Sequence, residues 1–233
     1  MTGRSDAEWE KRLSGQGDGT HLSRFKTARI EAKERKAAEA GPSPDRGASE
    51  GRLPPGQHRT EDFPVLDLGV RPLIDVRDWQ LSIKGRVERP VDLSWDDFRA
   101  LDQSAITSDI HCVTDWSRYD NQWRGVSGVT LMNLVRPLKE AAYLIIHCHD
   151  GYTTNLPLQG FLEPHSLVAT HWNGRPLARE HGGPVRVVVP SLYFWKSAKW
   201  IKHILVSDRD VKGFWETRGY HNDGDPWKEQ RYG

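Results

Sequence analysis

Residues 181–206 read HGGPVRVVVPSLYFWKSAKWIKHILV, and this stretch decides the fold. Two apolar runs of strand length, residues 185–189 and 201–206, stand on either side of a segment rich in aromatic and turn residues. Residues 143–146, YLII, form a third run of the same kind. Short strands joined by long irregular loops predict an α+β domain that is mixed but mainly β, with short helices.

Other local patterns agree with this fold class. Apolar and polar residues alternate along residues 79–87, which predicts a half-buried strand. Ser94, followed three residues later by Asp97, predicts the N-cap and capping box of a short helix. Residues 129–135 predict a second short helix, which ends before Pro137 because proline cannot continue it.

Composition excludes several classes of protein. The 33 basic residues nearly match the 32 acidic ones, so a nucleic-acid partner is not expected. The longest apolar runs are far shorter than a membrane span, so no membrane span is expected. Residues 1–13 have no apolar core of the secretory type, and the two cysteines do not suggest a disulfide scaffold. We therefore expect a cytoplasmic protein.

The chain divides by composition into residues 1–52, a charged N-terminal segment, and residues 53–233, a globular domain. The segment is dense in charge, and its only aromatic residues are Trp9 and Phe25. Residues 25–40 lack Gly and Pro and have helical composition, so the segment is either partly helical or disordered. It is a candidate docking element for an electron-transfer partner, or simply a solubilising tail.

The first candidate for chemistry is Cys112, in the motif HCVTDW. Ile106, Ile110 and Cys112 are evenly spaced, which predicts a strand that ends at the cysteine. A thiol at a strand end can face a cleft, and its thiolate is the reactive and metal-binding form. The alternative is a small buried apolar residue.

A second candidate is the sequence His147-Cys148-His149. On a strand the two histidines lie on one face and Cys148 on the other. With Cys112 these histidines suggest a zinc site, although the paired spacing typical of structural zinc is absent. A zinc hydrolase that uses Cys112, His147 and His149 is therefore kept as an alternative.

A third group of residues suggests an anion site. His181 and Arg186 are separated by a Gly-Gly-Pro turn that allows a ligand to approach the backbone. Lys196 and Lys199, with Ser197 between them, resemble a phosphate cradle. Together they predict a phosphate-bearing ligand with a thiolate nearby.

Six motifs in order carry a family resemblance. They are DIHCVTDWS (109–117), WRGV (123–126), DGYTTNLPL (150–158), EHGGPVRVVVP (180–190), FWKSAKWIK (194–202) and GFWETRGYH (213–221). This order resembles the molybdopterin-binding domain of the sulfite oxidase type, and in particular the small bacterial oxidoreductases that lack heme. The resemblance runs from about residue 53 to residue 233.

The resemblance implies a molybdenum cofactor, Mo-molybdopterin, whose metal is bound by the thiolate of Cys112. Soft sulfur donors suit such a metal. It also implies that Pro64 and Val65 contact the pterin through their backbone, and that Cys148 forms a wall of the pocket. With the anion site, the predicted cofactor-binding residues are Pro64, Val65, Cys112, Cys148, His181, Arg186, Phe194, Trp195, Lys196 and Lys199.

The function expected from the resemblance is oxygen-atom transfer on a small sulfur- or nitrogen-oxo compound, as in sulfite oxidases or sulfoxide reductases. His111 and His171, with His147 and His149, are candidate proton carriers on the substrate side. An unidentified electron-transfer partner is expected, because no heme or flavin domain is predicted. A non-catalytic molybdopterin-binding carrier is the other alternative, and it would not need the Cys112 bond to the metal.

Overall fold

The structure, a computed structural model, describes residues 51–233. The predicted helix at residues 25–40 lies outside the described residues. The described strands are β1 His58–Arg59, β2 Gln80–Gly85, β3 Val91–Ser94, β4 Gln103–His111, β5 Trp116–Ser127, β6 Tyr143–Cys148, β7 Thr153–Pro157, β8 Leu167–Trp172, β9 Arg175–Pro176, β10 Arg186–Val188 and β11 Ile201–Ser207. The α-helices are α1 Trp95–Ala100, α2 Gly128–Val135 and α3 Leu158–Phe161. Short 3-10 turns lie at Arg179–His181, Phe194–Lys196, Glu216–Arg218 and Pro226–Lys228.

The described strands form two sheets. The first has the order β1-β5-β8-β10, with β4 also paired to β5 and β9 paired to β8. The second has the order β3-β2-β11-β6-β7. The pairs β1·β5 and β2·β11 are parallel, and the other pairs are antiparallel. The predicted α+β class, mainly β with short helices, is confirmed.

The short helices form where the sequence places their caps. The Ser94 hydroxyl accepts from the backbone N–H of Asp97, and the Asp97 side chain accepts from the backbone N–H of Ser94, so the predicted capping box is present at α1. Ser127 caps α2, which ends at Arg136 in a left-handed conformation immediately before Pro137. Both helices bury apolar residues, including Phe98 and Leu131, in the core beside the second sheet.

Two apolar clusters fill the interior, and the two cysteines belong to different ones. Cys148 lies in the larger cluster, among residues of the second sheet and the helices. Cys112 lies in the smaller cluster, with Ile110, Trp116 and Trp123 of β4 and β5. The sheets thus hold the two thiols in separate surroundings. Within residues 51–233, no helix has the length and hydropathy that crossing a membrane requires.

Candidate cofactor site

A cavity of about 960 Å³, counted with its open mouth, lies where the loop after β4 meets five other segments of the chain. Residues 63–68 form one wall, and the loop 112–116 forms a second. Asp150 and Tyr152 come from the β6–β7 turn. The rest of the wall is formed by His181, Arg186, Phe194, Trp195, Ser197, Ala198, Lys199, Trp215 and Tyr220. The cavity therefore brings together segments that are distant in sequence.

Cys112 reaches the cavity from a tight turn after β4. Its backbone N–H donates to Trp116 O at 2.8 Å, and the N–H of Asp115 donates to Cys112 O at 3.2 Å. The Cys112 Sγ lies 3.2 Å from the hydroxyl oxygen of Thr114. Burial raises the pKa of this thiol, because a thiolate is poorly solvated there. A soft metal ion in the cavity would reverse this effect by binding the thiolate directly.

The turn is held from behind by a buried polar chain. The side-chain N–H of Gln57 donates to Cys112 O at 3.0 Å. The Ser117 hydroxyl donates to Gln57 Oε1, the side-chain amide oxygen, at 3.1 Å, and His111 Nδ1 is hydrogen bonded to the same hydroxyl at 2.8 Å. His111 was predicted as a catalytic residue, but it does not line the cavity, and burial lowers its pKa to about 4. Its neutral ring supports the turn instead.

Arg186 is a buried cation at the cavity. Its guanidinium donates to the carbonyl oxygens of His181 (3.0 Å), Ser197 (2.6 Å) and Val187 (3.3 Å). Across residues 51–233 no carboxylate forms an ion pair with it. Burial lowers its pKa to about 9. A buried charge without a counter-charge is costly, so this position favours a bound anion.

Lys199 is a second cation in the same wall. Its ammonium donates to Leu66 O (2.6 Å) and Glu180 O (2.9 Å), both of them neutral acceptors. Desolvation, followed by repulsion from Arg186, lowers the pKa of Lys199 to about 7. Asp67 and Asp150 oppose this shift. An anion bound between Arg186 and Lys199 would stabilise both charged forms.

An aromatic wall faces these cations. The rings of Phe63 and His181 are stacked with their centroids 4.0 Å apart and 7° between their planes. Burial and the neighbouring Arg186 lower the pKa of His181 to about 4, so the ring is neutral near pH 7. Trp215 and Tyr220 form a second stack, with centroids 4.9 Å apart. Flat apolar faces of this kind suit a ring-bearing ligand.

The predicted cofactor-binding residues divide into two sets. Eight of them line this cavity: Pro64, Val65, Cys112, His181, Arg186, Phe194, Trp195 and Lys199. Two do not line it: Cys148 and Lys196. Other lining residues are not among the predicted ones, including Phe63, Asp67, Asp150 and Tyr152. Asp150 and Tyr152 belong to the motif DGYTTNLPL, one of the six that carry the family resemblance, so they could have been identified from the sequence. Phe63 and Asp67 lie in a loop without a recognisable pattern.

Lys196 requires a correction. Its ammonium lies 2.6 Å from Glu216 Oε1, and the side chains of both residues are fully buried. It also donates to Asn155 O (3.1 Å) and Asn155 Oδ1 (2.8 Å). Lys196 is thus held by Glu216 and Asn155, whereas Lys199 lines the cavity, so the two lysines do not form one cradle.

The glycine pair after His181 also has a different role from the predicted one. A Cβ at Gly183 would overlap the carbonyl oxygen of Leu177, and a Cβ at Gly182 would lie 3.0 Å from the Lys199 side chain. Gly182 has a φ of 106°, which favours glycine. These glycines allow close packing within the chain, and this packing places Lys199 beside Arg186.

The remaining predicted residues lie elsewhere. Cys148 is buried in the larger apolar cluster, and its thiol pKa is raised well above the usual value by desolvation. His147, at the end of β6, pairs in register with His203 of β11. Over residues 51–233 no three His, Cys, Asp or Glu residues come together as a metal site, so the structure gives the zinc alternative no support.

His171, predicted as catalytic, lies in β8 opposite Arg124. It lines two shallower grooves outside the main cavity. Its Nδ1 is hydrogen bonded to the Thr170 hydroxyl at 2.8 Å. Desolvation and the neighbouring Arg124 and Arg99 lower its pKa. The structure therefore places neither His111 nor His171 beside Cys112 in the cavity wall.

The cavity fits a molybdopterin cofactor on three grounds. It provides one soft thiol at Cys112, stacked rings that suit a pterin, and the two cations Arg186 and Lys199, neither of which forms an ion pair with a carboxylate of residues 51–233. Pro64 and Val65 complete the wall on that side. The donor set thus matches a ligand that is both anionic and aromatic.

Comparison with known proteins also indicates a molybdopterin cofactor. Residues 68–215 match the family described as the oxidoreductase molybdopterin binding domain, and the chain belongs to that family. The match confirms the predicted class of enzyme, an oxidoreductase, and the predicted molybdenum–molybdopterin cofactor. The family resemblance carried by the six motifs is likewise confirmed.

Relatives are found in several bacteria. The chain is 48% identical over 183 residues to the uncharacterized oxidoreductase YuiH of Bacillus subtilis, covering 78% of this chain and 92% of that protein. It is 27% identical over 148 residues to a putative protein-methionine-sulfoxide reductase subunit, YedZ1, of Azospira oryzae, covering 64% and 56%. The sulfane dehydrogenase SoxCD of Paracoccus pantotrophus has a similar fold, with a TM-score of 0.56 at 21% identity over 60% of this chain and 41% of that one. The chain thus spans about half or less of the last two proteins.

Proposed function

We propose that this oxidoreductase moves one oxygen atom to or from a small sulfur- or nitrogen-oxo compound, with Cys112 as the protein ligand of molybdenum. The observation that carries the proposal is the cavity that contains both the Cys112 thiol and the cations Arg186 and Lys199. When bound, the cofactor supplies the two-electron chemistry that the protein side chains lack.

The cavity residues then have separable roles. Arg186 and Lys199 bind the anionic part of the cofactor, and their fixed bonds to backbone carbonyls orient them before it arrives. Phe63 and the neutral ring of His181 pack against its ring system. Cys112, on its rigid turn, anchors the metal end. The protein thereby fixes the cofactor at three points.

The reaction balances as follows. Removal of an oxygen atom from the substrate consumes two electrons and two protons and releases water, and addition of an oxygen atom is the reverse. The electrons come from, or pass to, an electron-transfer partner that the sequence does not identify. A methionine-sulfoxide reductase subunit and sulfite oxidase among the similar proteins support a sulfur-centred substrate.

The test compares the two cysteines. Cys112→Ser is expected to abolish turnover of sulfite, sulfoxides and N-oxides, because a hydroxyl is a poor ligand for a soft metal. It should also remove the thiolate-to-molybdenum charge-transfer absorption, while pterin remains bound through the cations. Cys148→Ser is the matched control, since that thiol lies outside the cavity, and it should keep both signals.

The outcomes are distinct. Full activity in Cys112→Ser would contradict the proposed ligand. Zinc without pterin in the purified protein would contradict the whole proposal. Bound pterin with no turnover of any substrate, together with unchanged absorption in the Cys112→Ser variant, would indicate the non-catalytic carrier.

We also infer that residues 53–233 form the cofactor-binding domain and that residues 1–52 form a separate, charged N-terminal segment of the sequence. The family match begins at residue 68, which supports this division. At the junction, the guanidinium of Arg52 lies 2.6 Å from Asp109 and 2.7 Å from Asp120, so Arg52 is tied to the first sheet.

A further inference from the structure

Arg231 approaches the Cys112 turn from a segment more than one hundred residues away in sequence. Its guanidinium donates to Val113 O at 3.3 Å and forms an ion pair with the Asp115 carboxylate. The same group donates to Pro55 O (3.3 Å) and Gly56 O (3.4 Å). One half-buried cation therefore ties the turn to the loop that precedes β1.

The turn needs such a tie because its backbone is unusual. Asp115 has a φ of 67°, in the left-handed region, which aspartate and asparagine adopt more readily than other residues with a side chain but which is still uncommon. Such a conformation is kept only where surrounding contacts hold it. The Asp115 carbonyl oxygen accepts from the His58 N–H at 2.8 Å, and its carboxylate is held by Arg231.

Arg231 is itself fixed in place. Its carbonyl oxygen accepts from the His221 N–H at 3.0 Å, and Tyr220 and Tyr232 pair as an antiparallel bridge on either side of this contact. Its guanidinium lies 5.7 Å from the ring centre of Tyr193. A Cβ at Gly56 would come within 3.0 Å of Arg231 Nη2, so the loop residue opposite Arg231 has little space for a side chain.

We infer that Arg231 is a positioning residue that holds the Cys112 turn in the geometry required for metal binding. Arg231 does not line the cavity, so it acts through Val113 and Asp115 and does not touch the substrate. The inference rests on the proposed function, because it assumes that Cys112 binds the metal. A guanidinium suits this task, since its planar fork reaches several acceptors at once, which an ammonium cannot do.

The first measurement is amide hydrogen exchange on the cofactor-free full chain. Arg231→Ala should speed exchange in a peptide covering residues 109–117 by at least about tenfold, because a charged hydrogen-bond donor to the turn is lost. Exchange in β11 should stay unchanged, which separates local loosening from global destabilisation. Lys228→Ala is the matched control, because Lys228 lies in the same segment but is largely exposed and pairs with Asp225, away from the Cys112 turn.

The second measurement is the thiolate-to-molybdenum absorption of the loaded enzyme. Arg231→Ala should shift or weaken this band and lower kcat more than it changes KM, because the sulfur is misplaced while the substrate contacts remain. Arg231→Lys should restore part of both signals, as it keeps the charge but reaches fewer acceptors. Wild-type exchange at residues 109–117 together with an unchanged band in Arg231→Ala would overturn the inference.

The variants Asp115→Asn and Cys112→Ser distinguish failure of this inference from failure of folding or of the proposed function. If Arg231→Ala does not fold, Asp115→Asn removes only the ion pair, because asparagine tolerates the left-handed conformation. It should show the same changes at smaller size, and wild-type behaviour in that variant would overturn the inference. If Cys112→Ser itself retains the absorption band, the proposed function fails, whatever Arg231 does. If Cys112→Ser loses the band and Arg231→Ala does not, only the role of Arg231 is refuted.

Discussion

Lys196 and Lys199 lie three residues apart and occupy opposite electrostatic environments. The Lys196 ammonium is paired with the Glu216 carboxylate at 2.6 Å, behind the cavity. The Lys199 ammonium lies at the cavity wall beside Arg186, and the acceptors of its hydrogen bonds there are backbone carbonyls. The first charge is neutralised by a carboxylate within the protein, whereas the second is the one that we propose binds the anionic part of the cofactor.

This difference predicts that Lys196 contributes mainly to the stability of the fold and Lys199 mainly to ligand binding. A buried charge with a good partner strongly destabilises a protein when the partner is lost. A buried charge without one is itself a cost that the ligand removes on binding. We therefore expect substitutions of the two lysines to have opposite effects on the free energy of unfolding, and three experiments probe this contrast.

The largest change in the free energy of unfolding is expected at the buried ion pair of Lys196 and Glu216. Lys196→Met leaves the Glu216 carboxylate buried without its cation, although Thr154 and Trp195 still donate to it. The free energy of unfolding of the cofactor-free protein should fall by about 3–5 kcal/mol, as for other broken buried pairs. Urea denaturation followed by fluorescence measures this change.

A double variant provides the control. Lys196→Met combined with Glu216→Gln removes both charges while keeping an acceptor for Thr154 and Trp195, so most of the stability should return. If the free energy of unfolding of the single variant fell by less than about 1 kcal/mol, the ion pair would not contribute substantially to stability.

An intermediate effect, on the affinity for pterin, is expected when Lys199 in the cavity wall is replaced. Lys199→Met keeps the apolar stem and removes the charge, so pterin affinity should fall by about 10- to 100-fold through the loss of a charge-assisted contact. Pterin content after dialysis, measured by fluorescence of the oxidised pterin, reports this loss. The stability of the cofactor-free protein should not fall and should rise by about 1 kcal/mol, because an unpaired charge is removed. Destabilisation comparable to that of Lys196→Met would contradict the contrast.

Much of the fold could be predicted from local sequence. The apolar run at residues 201–206, the strand pattern at 79–87 and the Ser94 cap each specify their element without distant contacts, and each forms where expected. The parallel pairing of β2 with β11 could not be predicted, because it joins residues more than one hundred positions apart. Pairing of this kind depends on which apolar faces meet in the folded core.

In the candidate site, too, the positions set by local sequence could be predicted and those set by distant contacts could not. Cys112 and Arg186 lie at or beside strand ends and reach the cavity, because the strands fix where these side chains start. Lys196 carried the same sequence signal as Lys199, but its direction depends on a 3-10 turn and on Glu216, twenty residues later. Arg231 carried no signal, since its role arises only when a distant segment packs against the Cys112 turn.

The smallest effect is a pH dependence of anion binding. Because the pKa of Lys199 is lowered to about 7 in the folded, cofactor-free protein, its charge is present below that pH and lost above it. Sulfate, whose charge is constant over this range, should therefore bind more weakly as the pH rises from 6 to 8, by severalfold and at most about tenfold. Calorimetric titration of the cofactor-free protein measures this change.

The other groups at the cavity set the range of that titration. His181, with a pKa of about 4, is already neutral at pH 6, and Arg186, with a pKa of about 9, stays charged to pH 8. Asp150, with a pKa of about 6, gains most of its negative charge below pH 7, and its repulsion of the anion is nearly constant above that pH. The fall between pH 7 and 8 therefore belongs chiefly to Lys199. In Lys199→Met the affinity for sulfate should be lower throughout and nearly constant between pH 7 and 8. A slope that persists in this variant would assign the titration to another group and contradict the role given to Lys199.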